Sequence, residues 1–362
     1  MNSNSTILQF LFILCICSQN RCSEKEVSYS YTYKNYALKA CLDTAILIIG
    51  YNRPHYLSQC IASLEKHKQT DNICFIFALD GGEEATQKEH SELIEKASFK
   101  DKIILLREHN YGCPKNHIDG QRFAFDWCRF KEVIVLQEDM EVASNFIPFM
   151  LNFHRWATKN YTNIGATSGS SFSFLSEEDK KTKNNLVAED DAWWLFRSYC
   201  IDSYAWETIK HTLYSYEEII DQIPTTHTYA KARSKPELWE ESYKIKHFTD
   251  TLLEHKTDHE ERSFSFRSHD YASWYFQFGL FNEDNIMALA FYLNNLVKLR
   301  SIVPRAIHTG EFGISSDISQ KEYNALKEKI SLHGIVYDEP IEDFIVIEDE
   351  HYQNFLSLLS DE

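Results

Sequence analysis

The stretch "TAILIIGYNRPHYLSQCIASL", residues 44–64, joins two unlike patterns. A continuous apolar run from Ala45 to Ile49 ends on Gly50, the mark of a short strand buried on both faces. After it, Tyr56, Leu57, Cys60, Ile61 and Leu64 recur at helical spacing, with Pro54 at the first turn, where a missing N–H costs nothing. Strand, turn, helix is the repeating unit of a parallel sheet covered by helices.

The unit recurs downstream. "ICFIFALDGG" (73–82) reads as a second strand closing on Asp80 and two glycines, and "ATQKEHSELIEKA" (85–97) as a solvated helix. "KIILLRE" (102–108) is a third strand, and "PKNHIDGQRFAFDWCRF" (114–130) a helix with its aromatic side buried. "VIVLQEDMEV" (133–142) is a fourth strand, and "SNFIPFMLNFHRWATK" (144–159) a helix with Ser144 as its expected cap. The expectation is an α/β fold: a mostly parallel twisted sheet with helices on both faces. Ligands of such sheets bind beyond the carboxyl ends of the strands. Asn52 with Arg53, Asp80 with Gly81, and Glu138 with Asp139 all fall there.

The second half is less regular. Residues 176–191 are charged and read as a loop. "AWWLFRSYCIDSYAWETI" (192–209) reads as aromatic core, and "RSHDYASWYFQFGL" (267–280) and "EDNIMALAFYLNNLVKLR" (283–300) as helices. "PRAIHTGEFGISS" (304–316) reads as an extended segment entering a Gly/Ser loop, and the tail from residue 341 as a strand and a helix.

The chain of 362 residues carries 54 Asp and Glu against 37 Lys and Arg, a formal net charge of -17. That balance excludes a general nucleic-acid binder, which needs a basic face. A phosphate-bearing ligand would need a local cation, either a metal ion or a placed arginine. Residues 7–17 are apolar except Gln9 and span only about 16 Å as a helix, roughly half a hydrocarbon core. Residues 1–20 are therefore expected to be a signal peptide or a short uncleaved anchor, the latter being the one route to a membrane. Residues 21–42, polar and Tyr-rich, are expected to form a stem, 43–310 the main domain, and 311–362 a C-terminal segment packed on it. The nine cysteines fit an oxidising compartment, and "NYT" at Asn160 is a glycosylation sequon.

Adjacent carboxylates at a strand end are oxygen ligands for a hard divalent cation such as Mn²⁺ or Mg²⁺, which takes one or two protein carboxylates and completes its shell with phosphate oxygens and water. On these residues alone, a solvated turn is the competing reading.

"VIVLQEDMEVASNF" (133–146) resembles the segment around the acidic triplet of the eukaryotic N-acetylglucosaminyltransferase I family, which with its protein O-mannose-linked relatives is built on the GT-A glycosyltransferase fold. The likeness covers Glu138-Asp139, Met140, Glu141-Val142-Ala143 and Phe146. It implies Asp139 as the Mn²⁺ ligand and Glu138 beside the ribose or sugar. It further implies Arg53 at the nucleotide, Asp80 as an acceptor from uracil, Ser315 or Ser316 at the phosphates, and Asp270 in "SHDYASW" as the catalytic base, with Glu283 and Asp284 as fallbacks. The activity implied is metal-dependent, inverting transfer of N-acetylglucosamine from UDP to a mannose of a glycoprotein glycan, in the Golgi lumen. The alternatives are another UDP-sugar donor, or a non-catalytic glycan- or nucleotide-binding relative. A glycosidase falls behind, because two adjacent acids cannot bracket one bond.

Three departures stand out. Gln137 replaces the first acid of the triplet. The family's nucleotide-contacting His falls on Gly120, with His117 one helical turn earlier as the substitute. The middle section around Trp193 to Trp206 matches only loosely. The two cysteines that pair in the family are lost together, at Tyr51 and Gly81, as expected if they form one bridge.

Overall fold

The structure, a computed structural model, describes residues 31–36, 42–67, 70–170, 175–189, 197–220, 283–310 and 341–347. Apart from Tyr31 they belong to one compact unit, Thr32–Glu362. In chain order the elements are β1 (Tyr31–Tyr36), β2 (Thr44–Gly50), α1 (Pro54–Leu64), β3 (Ile73–Leu79), α2 (Glu84–Lys96), β4 (Asp101–Arg107) and α3 (Cys113–Arg122), which runs on into a π-helical turn, Phe123–Trp127. Then follow β5 (Glu132–Gln137), β6 (Met140–Val142), α4 (Phe146–Asn160), β7 (Ile164–Ser168), α5 (Glu177–Thr182), β8 (Leu186–Glu189), β9 (Ser198–Asp202) and α6 (Ser203–Ile220). After residues 221–282 come α7 (Glu283–Leu293), β10 (Val297–Ser301), β11 (Ala306–His308) and β12 (Ile345–Val346).

The expected α/β architecture is present. Ten strands form one sheet in the order β1-β4-β3-β2-β5-β9-β7-β10-β8-β12, and β6 pairs with β11 in a separate two-stranded sheet. The pairs β4·β3, β3·β2 and β2·β5 are parallel, whereas β9 runs antiparallel to both β5 and β7. Strands β2 and β3 are buried along their whole length, which is why they read as unbroken apolar runs.

One face of this sheet, carrying Ile46, Ile48, Phe75, Phe77, Ile134 and Leu136, shares a core with Leu57, Cys60 and Leu64 of α1 and Phe146, Met150 and Phe153 of α4. On the other face α3 lies directly on β2 and β3. A Cβ at Gly120 would stand 3.1 Å from Ile49 and 3.3 Å from Ala78 and Leu47, so the helix settles this close only because that residue is glycine.

The strand order places the site. The chain steps from β2 through β3 to β4, then returns to lay β5 on the opposite side of β2. Between β2 and β5 the connections leave in opposite directions, and the crevice beyond such a switch point is where open α/β sheets bind ligands.

Several local expectations are corrected. The segment 283–300 is not one helix: α7 stops before Asn294-Asn295, Asn295 takes a positive φ of 55°, and β10 begins. Asparagine tolerates that conformation. Burying Val297 and Leu299 in the sheet contributes about 1.5–3 kcal/mol each, against tenths per residue from helix propensity. The segment 176–191 holds a short helix, α5, capped by the Ser176 hydroxyl accepting from Asp179 N–H, and strand β8. Ser144 does not cap α4: the preceding residue is Asn145, no side chain caps the helix, and the Phe146 N–H is taken by the Ala143 carbonyl at 2.9 Å. Within the segment read as a stem, "YTYKNY" forms β1 at the sheet edge beside β4, its tyrosines and threonine being residue types that strands favour.

Candidate functional site

Three chain segments meet at the switch point. Glu138 continues the β2–β5 pairing by one backbone bond, its N–H donating to the Ile49 carbonyl at 2.8 Å. This turns the Glu138 side chain over the end of β2, where Oε2 accepts from the Tyr51 N–H at 3.0 Å and Oε1 from Arg53 Nε at 2.8 Å. Arg53, just before α1, also places Nη1 2.8 Å from Asp139 Oδ2. One guanidinium therefore bridges two buried carboxylates, which are 2% and 3% exposed. Burial pushes the Glu138 carboxyl up to about 7, against the pull of Arg53. Burial also opposes ionisation of Asp139, but the hydrogen bond with His308 and the charge of Arg53 outweigh it and hold that carboxyl below the usual range. Adjacent in sequence, the two acids are unequal in chemistry.

His308 completes the site from far along the chain. Strand β11 pairs antiparallel with β6, setting His308 opposite Met140 and bringing its Nε2 within 2.9 Å of Asp139 Oδ2. The next residue fastens the turn, the Thr309 N–H and hydroxyl both donating to the Asp139 carbonyl at 2.8 and 3.1 Å. Gly310 leaves the pair its space: a Cβ there would stand 2.8 Å from Asp139 Oδ2 and 2.9 Å from His308 Nε2.

Asp139 Oδ1 is buried and has no hydrogen-bond partner among the described residues. A buried anionic oxygen left unsatisfied is costly, and a divalent cation would satisfy it. Asp139 and His308 together offer one carboxylate and one imidazole. Among the described residues no group of three or more His, Cys, Asp or Glu stands ready to hold a metal. The pair thus fits an ion that draws its other ligands from water and a phosphate-bearing substrate.

Asp80 sits at the end of β3, 3% exposed. Its Oδ1 accepts from the N–H groups of Gly81 and Tyr111, and its Oδ2 from that of Gly112, each at 2.9 Å. The carboxylate thus shapes the loop after β4 that leads into α3.

His117 lies fully buried on α3, its Nδ1 3.0 Å from Gln121 Nε2 and its ring stacked on Tyr199. Burial lowers its affinity for a proton while the nearby Glu283 opposes that. It belongs to the α3–α7 layer rather than to the acidic turn. Asp270 and Ser315 lie outside the described residues.

Sequence reasoning missed His308, whose partner is 169 positions away. The only sign of it was the position of "AIH" within an extended segment. It read Gln137 only as the missing first acid of the triplet; in the structure its amide Nε2 donates to Glu283 Oε1 at 3.2 Å. Glu283 and Asp284 are both buried at the start of α7.

No protein-family model matches the sequence, and a search of curated proteins gives no match. Among solved structures, a mannosyltransferase from Pyrobaculum calidifontis in complex with GDP-mannose and Mn²⁺ overlays with a TM-score of 0.39 at 9% identity, covering 79% of this chain and 81% of its own. TarS from S. aureus overlays with a TM-score of 0.37 at 10% identity, covering 60% of this chain and 41% of its own. Likenesses this remote assign neither activity nor substrate.

Proposed function

We propose that the chain is a metal-dependent, inverting glycosyltransferase of GT-A type that moves N-acetylglucosamine from UDP to a mannose of a glycoprotein glycan. The observation that carries this reading is the convergence of Arg53, Glu138, Asp139 and His308 at the switch-point crevice, with Asp139 Oδ1 buried and unpartnered among the described residues. A divalent ion, Mn²⁺ or Mg²⁺, held there would neutralise the departing diphosphate, so no protein acid is needed on that side.

The chain's own residues do the rest. Asp139 and His308 would hold the ion. Arg53, 28% exposed at its side chain, reaches from the carboxylates towards the crevice and orients the diphosphate. Glu138 lines the donor pocket. The acceptor hydroxyl attacks the anomeric carbon from the face opposite the diphosphate. A new carbon–oxygen bond forms, the bond to the phosphate oxygen breaks, and the hydroxyl proton passes to a carboxylate. Asp270 is the candidate from the family likeness. Asp284 is the candidate among the described residues: it is buried at the start of α7 and close enough to Cys113 and Tyr199 to act on both electrostatically. This reading places the protein in the secretory pathway, in the Golgi lumen.

The test is Mn²⁺-dependent binding and turnover of a panel of UDP-sugars by the wild type and by Asp139→Ala. The expected result is binding that requires the metal and is lost in the variant. Metal-independent binding untouched by the substitution would sink the proposed site. Metal-dependent binding without transfer to any glycan would identify a non-catalytic relative.

A further inference from the structure

Gln137 is the position at which the chain leaves the family's acidic triplet, and the sheet shows what it does instead. Strand β2 pairs in register with β5, Leu47 beside Val135 and Ile49 beside Gln137. Leu47 and Ile49 face α3, as their closeness to Gly120 shows. Gln137 shares that face and so points away from the side on which Glu138 meets Arg53. On that side its Nε2 donates to Glu283 Oε1 at 3.2 Å. The same oxygen receives a second donor from α3, the Cys113 thiol at 3.1 Å.

An acid at position 137 would reverse this contact. Two carboxylates would then face one another in a buried place, and one would have to take up a proton or move away. A glutamine keeps Glu283 where a third acid would expel it.

We propose that Gln137 is a positioning residue. Together with Cys113 it latches the first turn of α7 to the end of β5 through Glu283, and so fixes the α7 carboxylate Asp284 relative to the metal-binding turn that begins one residue later. The inference rests on the transferase reading and adds a residue that acts through another. The distance between leaving diphosphate and accepting carboxylate is set by joining the strand end that carries the first to the helix that carries the second. Small errors in such geometry cost large factors in rate.

The experiment compares wild type with Gln137→Met, which keeps the volume and removes the donor, with Gln137→Glu, which turns donor into acceptor, and with the exchanged pair Gln137→Glu/Glu283→Gln. Two readouts are taken: transfer kinetics with Mn²⁺ and the UDP-sugar that turns over, and hydrogen–deuterium exchange at the first turn of α7. A hydrogen bond to a charged group is strong enough that Gln137→Met should lower kcat by about tenfold to a hundredfold. Donor KM should stay within about twofold, since the Gln137 side chain bonds Glu283 and none of Arg53, Glu138, Asp139 or His308. Exchange at α7 should rise by about tenfold or more, and the exchanged pair should recover kcat to within about threefold. An unchanged kcat, a loss confined to KM, or an exchanged pair no better than Gln137→Glu alone would overturn the inference. Should Gln137→Met fail to fold, the comparison of Gln137→Glu with the exchanged pair decides it. A wild type that transfers to no acceptor refutes the transferase reading instead. In that event exchange at α7 unaffected by Gln137→Met refutes the latch as well, and accelerated exchange restored by the exchanged pair upholds it as a structural link.

Discussion

Arg53→Met is the most informative single change at the site. The guanidinium is the shared cation of two carboxylates that are 2% and 3% exposed, donating to Glu138 Oε1 and lying against Asp139 Oδ2, each at 2.8 Å. Each such hydrogen bond to a charged group is worth about 1.5–3 kcal/mol, and removing one partner of a buried ion pair costs about 3–5 kcal/mol. Glu138 softens the loss, because a carboxyl already pushed up to about 7 sheds its charge by taking up a proton. Asp139 keeps His308, and the net cost should fall near about 3 kcal/mol. On the proposed reading, wild-type Arg53, paired with Asp139 Oδ2, would compete with a metal ion for that carboxylate, and the variant would not. Mn²⁺ at about a hundred times its dissociation constant would return about 2.7 kcal/mol. The assay is urea unfolding at pH 7.5 with and without Mn²⁺. The variant should be less stable than wild type in chelator and gain more from Mn²⁺ than wild type does. A variant whose stability Mn²⁺ raises no more than it raises the wild type would refute the reasoning that this arginine stands beside a cation site.

Gly310→Ala should separate Asp139 from His308, because the added methyl would stand under 3 Å from both; Mn²⁺-dependent turnover should fall at least about tenfold, with an overpacking cost of about 1–3 kcal/mol in urea unfolding. His67 and His90 are buried, and burial lowers each to about 4. An unfolded histidine takes up its proton near 6.5, so their contribution is complete above that pH and lost as pH falls towards 4, by up to about 1.4 kcal/mol per pH unit each. Urea midpoints between pH 7 and 4.5 should fall less steeply for His90→Gln than for wild type, and equal slopes would remove His90 from the account. Phe153→Ala, at a fully buried ring against Phe149 and Phe344, should cost about 3–5 kcal/mol by the same assay.

The local order along the chain made the first half of the fold legible. Continuous apolar runs at β2, β3, β4 and β5, each followed by a helical pattern, require a parallel sheet, because only strands covered on both faces can be apolar throughout. The polar residues closing those strands were legible as a site for the same reason: the carboxyl ends are where such a sheet opens to ligand. Arg53, Glu138 and Asp139 were singled out in this way, and the structure brings the three side chains into contact. The sequence was a poorer guide after residue 175, where short strands alternate with charged turns and pair with distant partners. Propensity there is weak, and tertiary burial decides between helix and strand, as at Val297–Ser301.

What no local pattern could reveal was partnership across the chain. His308 meets Asp139 because β11 pairs with β6, and Gln137 meets Glu283 because β5 lies in register beside β2 while α3 and α7 pack on that face. Both contacts join residues well over a hundred positions apart, and no propensity or spacing rule reaches that far. The identity of each residue, its charge and its place at a strand end were written in the sequence. Which face it looked out from, and what stood opposite, followed from strand register and the packing of helices on the sheet.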